Sequence, residues 1–330
     1  MRGERAYALL VTGLAAAVAL AFLASLMVGP AAIGLGDALA SLGRGGGDAT
    51  LIILREIRLP RAILGLAVGA TLGLSGAALQ GYLRNPLAEP GIIGVSSASA
   101  LGAALAFYSG LSFSVPLALP LLAMLGGLLA VAILQGLAGG NSLSLILAGV
   151  AVSSLAGALT ALILNLSPNP YAVQEIVFWL LGSLSDRSMD HVALAVPFIL
   201  LGWGLILAVA SRLDVLSLGE ETAQSLGVNL TSTRGMLVIG TALSVGAATA
   251  VSGVIGFVGL VVPHMLRPLV GHRPSRLLPA SALGGALLLL LADILVRLIP
   301  GPELKLGVVT ALIGAPFFLS LILKHRWAWR

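Results

Sequence analysis

The chain has 330 residues, 58% of them hydrophobic and 9% charged, with no cysteine and a formal net charge of +5. A soluble domain carries about 25% charged residues, so this composition excludes a water-exposed globule and makes lipid the solvent. It also excludes disulfides, thiol catalysis and thiolate metal sites, and the arginines are scattered between apolar runs, which suits orientation in a membrane rather than a nucleic-acid partner.

The first apolar run extends from Ala6 to Val28, behind Arg2 and Arg5. A signal h-region has about 7–15 residues, so this longer run reads as a first, uncleaved span. At about 20 residues per crossing, the candidates are 6–28, 62–83, 92–109, 115–138, 143–166, 192–211, 235–254, 255–270, 278–298 and 306–324. The connections are short. Residues 1–330 therefore read as one all-α polytopic membrane domain of about ten transmembrane helices, several of them short or broken. Gly65, Gly69, Gly73 and Ala77 form a small-residue stripe for helix packing. Asn85-Pro86 and Glu89-Pro90-Gly91 predict a rigid turn after the second span, and Pro263 and Pro316 are expected to end or kink their helices.

With the N-terminus inside, Arg84, Arg212, Arg234 and Arg267 fall on the cytoplasmic side, together with both termini. Arg55, Arg58 and Arg61 then fall outside, against the rule, and ask for a functional reason. Pro60 suits a helix start there. Arginine forks match carboxylates, so the cluster reads as a dock for an acidic partner or as interfacial snorkelling. Residues 217–227 are too polar and short to span. They read as a compact cytoplasmic helix bounded by Gly219 and Gly227, seated in a partner's groove or serving as a plain connector. Asp293 and Arg297 are spaced for a helical ion pair, and His264 suits a helix C-terminus better than proton transfer.

Several chemistries have no carrier. The lysines are Lys305 and Lys324, and neither follows a P-loop glycine run. No Gly-x-Ser-x-Gly or His-Glu-x-x-His occurs, and His191, His264, His272 and His325 lack metal-ligand spacing. No catalytic, cofactor or metal site is therefore assigned. A secondary transporter would need acids at the midplane, whereas the acids here lie at predicted helix ends.

Arg58-Leu-Pro-Arg61, Gly76-Ala-Ala-Leu-Gln80, Asn85-Pro-Leu-Ala-Glu-Pro-Gly91, Leu218-Gly-Glu-Glu221, the run Gly253 to His264, Leu291-Ala-Asp293 and Gly307 to Phe317 come in the order of a known family. With these stretches the chain resembles the permease subunits of ATP-driven importers for iron chelates, haem and cobalamin. The resemblance implies a ten-span protomer that pairs with a second copy of itself. It implies two ATP-binding subunits, which hold ATP and Mg, on the cytoplasmic side, and a periplasmic substrate-binding protein outside. It implies that Arg58, Arg61 and Arg297 dock the binding protein. Leu218, Gly219, Glu220, Glu221, Ala223, Leu226 and Gly227 would couple to the ATPase. Gates would lie at Asn85 and Leu87 and at Ser142 and Leu143, where Leu143 replaces a hydroxyl residue of the cobalamin importer. The expected function is import of an iron chelate, siderophore or haem, across a bacterial inner membrane by alternating access. The alternatives are cobalamin import by the same machinery and, from another class, an ion-gradient-driven secondary transporter.

Overall fold

Hydrocarbon offers a peptide group no hydrogen bond, so a spanning backbone must satisfy itself. The computed structural model describes residues 2–31, 33–34, 36, 40, 48–115, 117–137, 142–301 and 303–328, and among them every regular element is helical. In chain order we label α1 (Arg2–Met27), α2 (Ala49–Tyr82), α3 (Val95–Tyr108), α4 (Ala118–Leu137), α5 (Ser142–Leu166), α6 (Pro170–Leu180) and α7 (Met189–Ala208). There follow α8 (Ala210–Leu216), α9 (Glu220–Ser225), α10 (Leu230–Ser252), α11 (Val258–Leu266), α12 (Pro274–Leu298) and α13 (Leu306–Ala328). Seven of these helices are long and apolar enough to cross a membrane, and three shorter apolar ones, α3, α11 and α13, bring the set to the ten expected.

The centre of the bundle is α2. Between Pro60 and Tyr82 nearly every residue is buried, as expected of a helix that is apolar on all sides. Its glycine stripe sets the approach of α12: a Cβ on Gly73 would lie 2.0 Å from the Ser281 carbonyl oxygen, and one on Gly69 2.4 Å from that of Gly285. One turn further on, a Cβ on Gly76 would lie 1.9 Å from the Gly259 carbonyl oxygen of α11. These obstacles are backbone atoms, which cannot rotate away. Gly76→Ala is therefore expected to cost about 1–3 kcal/mol through overpacking. The measurement is thermal unfolding of the detergent-solubilised protein, and an unchanged midpoint would mean that α11 has room to shift.

One expectation about proline is corrected. The helix bearing Pro60 does not start there. It begins at Ala49, where the Asp48 carboxylate accepts from the Thr50 N–H at 2.8 Å, and passes Pro60 by widening to a π-helix over Ile53–Arg58. Proline removes an N–H and crowds the carbonyl four residues back, and the wider turn relieves both. Of the two outcomes expected at Pro263 and Pro316, an end is not what they cause, since α11 and α13 run through them. The break comes earlier, between α10 and α11, where Gly253 and Phe257 take positive φ. Protein packs against this non-helical backbone: Ser252 O accepts from the Ser183 N–H at 2.7 Å, and a Cβ on Gly253 would meet the Trp179 carbonyl oxygen at 2.2 Å.

The sequence reading passed over α6. α6 lies between the fifth and sixth expected spans and buries Ala172, Ile176 and Trp179. The signal was there: Asn169 caps the Tyr171 N–H, Pro170 occupies the first turn, and the buried positions recur at helical spacing.

Candidate functional sites at the two ends of the bundle

At one end, α1, α2 and α12 bring Arg58, Arg61 and Arg297 together. The three cations have different partners. Arg58 is 3% exposed, and its Nη1 donates to the carbonyls of Leu26 at 2.9 Å and Met27 at 2.6 Å, while Nη2 donates to Ala31 O. Gly29 lets the chain cross that guanidinium, since a Cβ there would sit 2.9 Å from Nη2. Arg297 Nη1 donates to Ser25 O at 2.8 Å and Val28 O at 2.7 Å, and its Nη2 donates to Ser25 Oγ at 2.6 Å. The last turn of a helix leaves carbonyls without partners and carries partial negative charge. Two arginines supply what the end of α1 lacks.

Arg61 is held by carboxylates instead. Its Nε donates to Asp293 Oδ1 at 2.8 Å, and its Nη2 donates to Glu303, which also accepts from Ser185 Oγ at 2.8 Å. Asp293 is 1% exposed and faces Arg297 as well, with Nη2 at 2.9 Å from Oδ2, an ion pair whose angle falls short of a hydrogen bond. The expected pair at 293 and 297 is thus present, inside a larger network. Partial burial pushes the Glu303 carboxyl up, but the hydrogen bond and charge of Arg61, with Ser185, outweigh it and hold it below the usual carboxylate range. A cavity of about 720 Å³ opens beside this network, lined by Glu56, Arg61, Asp186, Arg187, Arg297 and Glu303 among others.

At the opposite end, α8 and α9 form a small platform. Asp214 of α8 accepts from both the N–H and the Oγ of Ser275, at 2.7 and 2.6 Å, which ties the platform to the start of α12. Gly219 and Gly227 bracket α9 with φ of 113° and 85°, values that favour glycine. Ala223 is fully buried and fixes the helix to the bundle, and Glu220 lies 3.9 Å from Arg84. Glu221 is exposed, and so are Leu218 at 64% and Leu226 at 63%.

The predicted gate residues lie at this same end. Asn85 Oδ1 accepts from the Leu87 N–H at 2.9 Å, a local turn that leaves Leu87 exposed. Leu143 is exposed in the first turn of α5, while the side chain of Ser142 lies outside the described residues. The loop behind Leu87 packs on α5, since a Cβ on Gly149 would lie 2.2 Å from Ile92 O. Gln80, 1% exposed, joins α2 to α11 here: its Oε1 accepts from Arg267 Nη2 at 2.6 Å, and its Nε2 faces the carbonyls of Gly259 and Leu260 at 3.4 Å.

A lipid-suited helical bundle with a charged cavity at one end, a polar platform at the other and a broken helix between them is the architecture of a membrane permease. The chain matches the model of the FecCD transport family over residues 17–324. It is 42% identical over 276 residues to the Fe(3+) dicitrate transport system permease protein FecD of Escherichia coli (strain K12), covering 83% of this chain and 86% of the relative. It is 41% identical over 291 residues to the hemin transport system permease protein HmuU of Yersinia pestis, covering 84% and 85%. A solved structure of an ABC transporter in an inward-facing conformation superposes with a TM-score of 0.85 at 35% identity, over 95% of this chain and 98% of the other. The chain belongs to the FecCD transport family. It is the membrane permease of an ABC transporter and not itself an enzyme, and hydrolysis falls to a separate ATPase subunit.

Proposed function

We propose that this permease imports an iron chelate, a siderophore complex or haem, across a bacterial inner membrane by alternating access. Two copies pair around the pathway. Two ATP-binding subunits, holding ATP and Mg, sit on the α9 platform, and a substrate-binding protein docks at the arginine-bearing end. That end faces the periplasm, and both termini lie in the cytoplasm. The observation that carries the reading is α9, an exposed helix bracketed by two left-handed glycines and anchored by a buried Ala223. A segment so placed transmits a rigid push from a partner to α8, α10 and the helices beyond.

The pathway runs between the copies, along α5, α11 and α13. α5 leaves Leu147, Val150, Leu155 and Leu162 uncovered, and α13 leaves Leu312 and Ile313. An apolar wall gives a bulky chelate little to adhere to, so selection rests with the binding protein. Asn85 and Leu87, with Ser142 and Leu143, gate the cytoplasmic mouth. An ion-gradient mechanism fits less well, because Asp293, the acid most deeply buried among the described residues, is already matched by two arginines. A proton-coupled carrier needs an acid free to cycle.

The test is uptake into liposomes holding the permease with its ATPase, with the binding protein added outside. Ferric siderophore, haem and cobalamin are offered separately. The expected result is uptake of an iron compound that stops when ATP is withheld. Uptake of cobalamin alone would keep the mechanism and replace the cargo, and uptake driven by an ion gradient without the ATPase would end the importer reading.

A further inference from the structure

The proposed docking arginines differ in what an incoming carboxylate would have to displace. Arg58 and Arg297 are turned toward the carbonyls at the end of α1, and Arg297 also faces Asp293. Arg61 has a buried edge, Nε and Nη2, facing Asp293, and the outer side of that same Nη2 is taken by Glu303. These two acids are not equivalent. Asp293 is sealed in the bundle, whereas the Glu303 side chain is 39% exposed and sits on the short connection between α12 and α13. That connection includes Gly301 at φ 114°, a conformation open to glycine and a natural place for a loop to reorient. Glu303 also lines the 720 Å³ cavity, which is the space a partner's side chain would enter.

We infer that Glu303 is a resident substitute for the partner's carboxylate, occupying the outer edge of Arg61 until an acidic side chain of the binding protein displaces it. The inference rests on the docking reading proposed above. Exchange of one carboxylate for another leaves the guanidinium equally satisfied, so displacement needs no buried charge to go unpaired. The groups around Glu303 make the exchange feasible. Arg61 and Ser185 hold it, Lys305 lies two residues along and gives it somewhere to go, and Arg187 and Arg297 on the cavity wall offset Asp186 and Glu56 for an incoming carboxylate. In the undocked permease Arg61 is thus neutralised and kept in place. The cost is affinity, because every docking event competes with an intramolecular ligand.

The experiment measures binding of the substrate-binding protein to the permease–ATPase complex in nanodiscs by surface plasmon resonance. Glu303→Gln keeps the side chain's shape and removes its charge. A half-exposed ion pair is a weak competitor, so the expected result is a Kd lower by about two- to five-fold. Ser185→Ala, which loosens the same carboxylate, is expected to shift Kd in the same direction by less. Arg61→Gln is expected to raise Kd about tenfold or more, as for loss of an interfacial charge pair. If Arg61→Gln weakens docking while Glu303→Gln leaves Kd unchanged or raises it, the competitor role is overturned and the docking reading stands. If Arg61→Gln has no effect on binding, Arg61 is not a docking residue, and the inference falls with that reading.

Discussion

Replacing Asp293 by alanine is expected to remove about 3–5 kcal/mol of stability, the cost of leaving buried charge without its counterion. Asp293 is the shared anion of two guanidiniums, with Arg61 Nη2 at 2.8 Å and Arg297 Nη2 at 2.9 Å. Neither arginine can neutralise itself by losing a proton at any ordinary pH. Arg61 would keep Glu303, and Arg297 would keep the carbonyls of α1, so the loss should fall toward the lower figure. The damage should spread along one route. Arg297 also anchors the end of α1, so whatever strain its unmatched charge causes should be felt first at the Ser25 to Val28 turn. Thermal unfolding in detergent, run at one scan rate because such transitions are often irreversible, should show a lower midpoint and a poorer yield of monodisperse protein. Asp293→Asn, which keeps an acceptor oxygen, should lie between. Unfolding of Asp293→Ala at the wild-type temperature would mean that solvent reaches this network and screens it.

What could be read from the sequence follows the range of each signal. Apolar runs are local, and ten of them gave helices whose bounds mostly agree with the structure to within a few residues. The Asp293–Arg297 pair is also local, one helical turn apart, and it was legible. The partners of Arg58 were not. Its acceptors at Leu26, Met27 and Ala31 lie about a span earlier in the chain, and they are carbonyls, which every residue carries. No side-chain pattern can announce them. An arginine cluster on the exposed side of a helix start and one folded onto a neighbouring helix end look the same in sequence. Glu303 was passed over for the same reason: it sits in a loop marked by Pro300 and Gly301, and its tie to Arg61 spans most of the chain. The widened turn ahead of Pro60 was missed because proline predicts a helix start more readily than a π-helix. On the platform, by contrast, Gly219 and Gly227 marked the ends of α9 directly, because left-handed backbone asks for glycine.

The platform carries the second large effect. Exposed leucines are ordinary on helices that face lipid, but Leu218 and Leu226 flank a segment of Glu, Thr, Gln and Ser that is too polar for the membrane. Water is an equally poor neighbour for them, and a protein groove satisfies both ends of the segment. Burying a leucine contributes about 1.5–3 kcal/mol, and each 1.4 kcal/mol is about a factor of ten in affinity. The double variant Leu218→Asp, Leu226→Asp removes both contacts and places two carboxylates in their stead, next to Glu220 and Glu221. Association with the ATPase subunit is expected to weaken by more than about 100-fold on this scale, and ATP-driven uptake should cease. The permease itself should not notice. Both side chains are largely exposed, while α9 is held by Ala223 and by its glycine brackets, so the unfolding midpoint should stay at the wild-type value. Loss of co-purifying ATPase from a normally folded permease therefore assigns the fault to docking. If the ATPase still binds and uptake continues, the leucines lie outside the groove, and the contact must run through the polar face of α9 that contains Glu221 and Gln224.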